Sequence, residues 1–204
     1  IYSSTNGTAW TLMTGVITST DVIRSMCVHG GTVFATASPA SASVSRLYQL
    51  SGSNWTLKAT HSGTILTVIR SASGALFAGT TNTLILKSTN NGTSFAASSG
   101  TLNPTAFYDK YVRSMGATST ALFMGNDGGR IFKSADGGTT WASSYNSGAS
   151  SSSSVSDIFI TPSNAILVAC DSGFVYSMDG ITWNKNNLGF AYSAGALQDP
   201  LLQV

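Results

Sequence analysis

The 204-residue chain contains no glutamate; all eight of its acidic residues are Asp. Any mechanism that needs a catalytic Glu is therefore excluded. A helical architecture is disfavoured too, because Glu is a common helix former while the abundant Ser, Thr, Gly and Asn are poor ones. Charged residues make up only 9% of the chain. Ten Lys and Arg against eight Asp leave a formal charge of +2, which gives no electrostatic footprint for nucleic acid or an anionic membrane. No apolar run approaches the ~18 residues that would span a bilayer, so membrane insertion is not expected. Cys27 and Cys170 lie in apolar, strand-like runs and are too few for a disulfide framework; both are expected to be buried free thiols. His29 and His61 share no metal-ligand spacing and read as surface turn residues, so neither a metal nor a cofactor is expected. The N-terminal Ile1-Tyr2-Ser3-Ser4 is neither an initiator Met nor a signal peptide. The chain is expected to be processed, excised from something longer, or incomplete at that end.

What is present is a repeat. Five segments share an apolar strand, a short polar turn and a closing aromatic, at Trp10, Trp55, Phe95, Trp141 and Trp183, with spacings of 45, 40, 46 and 42. A second landmark runs in step: Val33-Phe34-Ala35, Leu76-Phe77-Ala78, Leu122-Phe123-Met124 and Ile166-Leu167-Val168. Upstream of it, Ile23-Arg24-Ser25-Met26 and Val112-Arg113-Ser114-Met115 both place their Arg ten residues before the Phe. Each unit reads as four short strands rich in β-branched and aromatic residues, bounded by Gly, Asn and Ser. Four strands per ~43-residue repeat is the pattern of a β-propeller blade, which buries its faces only by packing on its neighbours.

The turn accounts for its own residues. In Ser134-Ala135-Asp136-Gly137-Gly138-Thr139-Thr140-Trp141 the carboxylate accepts backbone N–H bonds from just ahead, and glycine supplies the positive φ of a tight hairpin. Asn6, and Asn90 or Asn91, do the same with an amide oxygen; Asn91 is assigned to the box.

These segments resemble the Asp-box, or BNR repeat, Ser-x-Asp-x-Gly-x-Thr-Trp. Ser134, Asp136, Gly138, Thr140 and Trp141 match it in full, and Ser177, Asp179, Gly180 and Trp183 match with one residue deleted. The segments ending at Trp10 and Phe95 carry Asn instead, and the one ending at Trp55 keeps only Gly52 and the Trp. The resemblance implies an all-β propeller of antiparallel four-stranded blades, with each box a structural hairpin between third and fourth strands, away from any axial ligand site. About five blades are expected within a single domain, 1–204. The repeats run over about 15–60, 61–100, 101–146 and 147–187, and the last blade is shared by 1–14 and 188–204. Its second strand falls due near 205–211, so that blade lacks a strand or the sequence is a piece of a larger propeller. The Ser-rich run 148–154 reads as a solvated connection between blades.

Enzymatic readings fail on inventory. The sialidases among Asp-box proteins need a Glu-activated Tyr and an Arg-Ile-Pro motif, and both are missing. A glycosidase needs two paired carboxylates. Asp136, Asp179 and Asp127 belong to turns, while Asp21, Asp109, Asp157, Asp171 and Asp199 show no reason to pair. One constellation invites a ligand: Arg24, Arg70 and Arg113, with Asp157 opposite, would line the channel as a ring able to hold a carboxylate or sugar. Tyr108, Tyr145, Phe190 and Tyr192 are candidates for sugar stacking. A non-enzymatic structural or display propeller of an extracellular, cell-surface or virion assembly is expected, bound to other subunits or to cell-surface glycans. The alternative is a lectin-type module with its ligand in the channel or between blades.

Overall fold

β-Branched and aromatic side chains suit a pleated, half-buried surface, and the intervening Gly, Asn and Ser supply the turns. The computed structural model describes residues 1–15, 17, 20–29, 31–39, 44–81, 85–98, 111–146, 154–171, 173–186, 192–193 and 196–197. Among them every regular element is a strand. The chain divides into two compact units, Ile1–Ser98 and Ser99–Val204.

The first unit opens with a ribbon of β1 (Tyr2–Ser3) and β2 (Thr11–Leu12). Its main sheet is a meander of β4 (Asp21–His29), β5 (Thr32–Pro39), β6 (Val44–Ser51) and β7 (Asn54–Ser62), with β3 (Thr14–Gly15) added in parallel outside β7. Trp55 is not a box aromatic. Gly52 and Ser53 form a two-residue turn, and the indole lies buried within β7. A four-stranded sheet follows, made of β8 (Ile65–Arg70), β9 (Leu76–Thr80), β10 (Ile85–Ser88) and β11 (Ala96–Ala97).

The second unit has two four-stranded antiparallel sheets. One contains β12 (Val112–Ala117), β13 (Leu122–Asn126), β14 (Arg130–Ser134) and β15 (Ala142–Asn146). The other contains β16 (Val155–Ile160), β17 (Ile166–Cys170), β18 (Gly173–Ser177) and β19 (Asn184–Asn186). A ribbon of β20 (Tyr192–Ser193) and β21 (Ala196–Leu197) ends it. Among the described residues, the two ends assigned above to one blade each contain a two-stranded ribbon.

Within each unit the sheets stack through their first strands, β4 beside β8 and β12 beside β16. The contact is locked the same way in both. Ser25 Oγ accepts the Val68 N–H at 3.1 Å, and Ser114 Oγ accepts the Ile158 N–H at 2.9 Å. The layer between the sheets is apolar: Phe34, Leu47, Val68 and Leu76 in the first unit, Phe123, Ile131, Val155, Ile158 and Ile166 in the second. Burying each such side chain contributes about 1.5–3 kcal/mol. The second strands β9 and β13 are buried along their whole length, which is why both open on apolar runs, Leu76–Ala78 and Leu122–Met124. Cys27 and Cys170 are free but only half-buried, with burial pushing both thiols up to about 11.

Candidate functional site

Four hairpins carry the same clasp. In each, a Ser hydroxyl donates to the Asp or Asn two residues on and accepts a glycine N–H. The glycine bonds are Gly7 to Ser4 at 2.8 Å, Gly92 to Ser88 at 2.9 Å, Gly138 to Ser134 at 2.8 Å and Gly180 to Ser177 at 2.8 Å. The Asp or Asn oxygen then takes further N–H groups: Thr8 and Ala9 on Asn6, Ser94 on Asn90, Thr139 and Thr140 on Asp136, Ile181 and Thr182 on Asp179. The clasp residue of the second hairpin is Asn90, not Asn91, because the side chain must lie two residues beyond its Ser. Asn91 instead occupies the left-handed region, at φ 55°. These donors hold the Asp136 carboxyl below the ordinary carboxylate range, the Thr140 hydroxyl most of all, and bring Asp179 down to about 2.

The first strand of every main sheet bulges, at Arg24, Leu66, Arg113 and Ser156. Arg24 and Arg113 therefore hold equivalent positions, but the other two members of the proposed ring do not. Asp157 stands one residue past its bulge, at the position of Ser114, and Arg70 lies at the far end of β8. The reason is spacing: the bulge lies ten residues before the landmark in the sheets of Arg24 and Arg113 and eleven before it in the other two, which shifts any register counted from the landmark. Each group also has a local partner. Arg24 donates to Ser38, Arg70 to the Gly74 carbonyl and Arg113 to Asp127 at 2.7 Å, while Asp157 accepts from the Ser114 hydroxyl at 3.1 Å. Arg24 and Arg70 belong to the first unit, Arg113 and Asp157 to the second.

The other described carboxylates are similarly occupied. Asp21 accepts from Arg46 at 3.0 Å and from the Tyr48 hydroxyl, and Asp171 from the Ser154 N–H. No group of three potential metal ligands occurs among the described residues. Tyr145 is no loop residue: it lies in β15, half-buried, its ring 5.6 Å from that of Trp183. Tyr108 and Phe190 lie outside the described residues, as does the Tyr192 side chain. His61 is in strand β7 rather than a turn, half-buried, and burial lowers its pKa, so the imidazole is neutral near pH 7. His29 ends strand β4.

His61 faces a feature that sequence reasoning missed. A cleft of about 300 Å³ opens between the outer strands of the first main sheet and the hairpin of the next. Leu47, Ala59, Ile65 and Phe95 give it apolar walls; Ser45, Thr60, His61, Thr93 and Ser94 give it polar ones. The corresponding corner of the second unit is occupied by two rings. The bulged pairing sets Leu47 opposite Ala59 in one unit and Ile131 opposite Tyr145 in the other, so Ala59 and Tyr145 are counterparts. Phe95 corresponds to Trp183, whose ring packs edge-on against Phe123 and whose Nε1 donates to Ser144 at 3.0 Å. Two rings that fill one corner are thus a methyl and a smaller ring in the other.

The model of the DUF6242 beta propeller domain matches residues 1–193. The chain belongs to that family. No curated protein matches the sequence of this DUF6242 propeller. Among solved structures it is similar to the extracellular domain of BT4673 from B. thetaiotaomicron, described as a hybrid two component system, at 16% identity and a TM-score of 0.62. That match covers 87% of this chain but 23% of the other, so the DUF6242 chain spans about a quarter of its length. It is also similar to the WD40 beta propeller domain of Doa1 (16% identity, TM-score 0.57, 81% of this chain and 54% of that one). YCF48, solved bound to D1 peptide, matches at 14% identity and a TM-score of 0.56, over 88% of this chain and 58% of that one. At these identities the likeness is one of fold.

Proposed function

We propose that this DUF6242 propeller is a non-enzymatic structural or display module of an extracellular, cell-surface or virion assembly, with Asp-boxes as its hairpin clasps and about five blades. One observation carries the reading. Each of Asp21, Asp127, Asp136, Asp157, Asp171 and Asp179 spends its carboxylate on a donor that fixes a turn, a strand end or a sheet contact. Carboxylates bound up in this way hold a scaffold together and are poor candidates for a raised-pKa acid facing a substrate. The extracellular setting of the BT4673 domain supports the location. The sparse charge and the shell of Ser, Thr and Asn accord with a surface exposed outside the cell.

Fractionation of the native source, followed by light scattering on the purified material, tests this directly. The chain should appear in the surface or particle fraction, in a complex larger than its own mass. A cytosolic monomer would overturn the proposal. So would turnover of a chromogenic glycoside that Asp157→Asn abolishes.

A further inference from the structure

We propose that the cleft between β6–β7 and the Thr93–Phe95 hairpin is a binding site for one uncharged sugar residue at the tip of a glycan. The chemistry of its walls selects that class. Among the described residues, the Thr93 hydroxyl and the His61 imidazole have no side-chain hydrogen bond, although both residues line the same cavity. Ser94 is exposed, and its Oγ accepts from the Asn90 amide at 2.8 Å, which leaves its hydroxyl proton to be donated. These polar groups line the cleft together with Phe95 and Ala59, which are half-buried and supply its apolar surface, while Leu47 and Ile65 lie buried behind them. A pyranose is built to the same division, with hydroxyls around its edge and an apolar C–H face that lies flat on a ring.

Among the described residues no Asp, Lys or Arg lines the cavity, so none of them would compensate a charged ligand for the water it loses. An aromatic occupant would fill the space as Tyr145 fills the other corner. It would, however, cover the Thr93 and His61 groups without giving them partners, at the cost that attends an unsatisfied polar group. The volume, at the low end of the ~300–1,000 Å³ typical of ligand pockets, admits a single ring or a disaccharide end. Ala59 and Phe95 in its lining are each smaller than their counterparts in the second unit, Tyr145 and Trp183.

Saturation-transfer NMR on the full chain tests the proposal, with glucose, galactose, mannose, fucose, N-acetylglucosamine, lactose and maltose at millimolar concentration. A subset of these should receive saturation from the protein. Ala59→Tyr, which installs the ring found in the second unit, should weaken binding by about tenfold or more while the circular dichroism spectrum is kept. Should that variant fail to fold, Thr93→Val combined with His61→Ala should give a loss of the same order, since two partners of the sugar hydroxyls disappear. The proposal is overturned if no sugar in the panel binds, or if Ala59→Tyr folds and binds as the parent does. Saturable binding of N-acetyltyrosinamide with no sugar response would also overturn it, and would assign the cleft to an aromatic side chain of a protein partner.

Discussion

The corner where a clasped hairpin meets the preceding sheet is built twice, with the same parts and two different fillings. In the second unit Trp183 packs on Phe123 and Tyr145 and is pinned by Ser144. In the first, Phe95 lies against Phe34 and Leu47, and Ala59 leaves the cleft open. The backbone devices are common to both. Gly92 and Gly180 have positive φ, and a Cβ on either would strike the preceding sheet, at 2.5 Å from Leu47 and 2.5 Å from Phe123. The repeat therefore sets how closely the hairpin approaches, while a few side chains decide whether the corner is a seal or a site.

The largest effect should come from removing the ring beneath each corner. Phe123→Ala should cost about 3–5 kcal/mol, since the deleted ring is fully buried and touched by Trp183. Phe34→Ala should fall at the lower end of that range, because the neighbouring cleft already leaves the corner less densely packed. Urea denaturation of both variants checks this. A larger loss at Phe34 would mean that the cleft does not loosen its junction.

Opening the filled corner is the next test. Tyr145→Ala with Trp183→Phe converts the second corner to the residues of the first and should cost about 2–4 kcal/mol. If those two positions account for the cleft, a crystal structure of the double variant should show a comparable cavity there. A collapsed corner would place the difference elsewhere, at Ser45 or Ile65.

Much of this architecture was legible in the sequence. The step between Phe34, Phe77 and Phe123 marks the buried second strands, and the Ser-x-Asp and Ser-x-Asn pairs mark the clasps. What misled was register. Counting back ten residues from the landmark equates Asp157 with Arg113 only if the bulge always lies ten residues before it, and in two sheets it lies eleven before. The cleft was illegible for a different reason. Its walls come from β6, β7, β8 and the next hairpin, so it exists only after two sheets have stacked. The signal is present but quiet: an Ala where the other outer strand has Tyr, and a Phe where the other box ends in Trp.

A smaller loss is expected from the clasps themselves. Ser88 and Ser177 are buried, and each hydroxyl serves both the glycine N–H and the Asn or Asp beyond it. Ser88→Ala and Ser177→Ala should each cost about 1–2 kcal/mol, because a buried glycine N–H is left without its acceptor. Thermal melts of the two variants should agree closely, since the clasps match even where the corners do not. A marked difference would show that the filling of the corner, rather than the hydroxyl, holds the hairpin in place.

The subtlest contrast lies in acid. The clasps of the second unit use carboxylates, Asp136 and Asp179; those of the first use the amides of Asn6 and Asn90. Both carboxyls are held below the ordinary range, Asp136 chiefly by the Thr140 hydroxyl and Asp179, at about 2, chiefly by the Ile181 and Thr182 N–H groups. A carboxyl whose folded pKa is depressed stabilises the fold in full above its unfolded value of roughly 3.9 and loses that contribution as pH falls through the folded value. Between about pH 4 and pH 2 the second unit's clasps should therefore loosen while the first unit's do not, since an amide does not titrate there. Hydrogen-exchange protection of the Thr140 and Thr182 N–H groups should fall across that window, and protection of Thr8 and Ser94 should stay level. Asp136→Asn with Asp179→Asn should flatten the response of the second unit to match the first. If both sets of amides lose protection together in the parent protein, the acid response belongs to the fold as a whole and the carboxylates are not its origin.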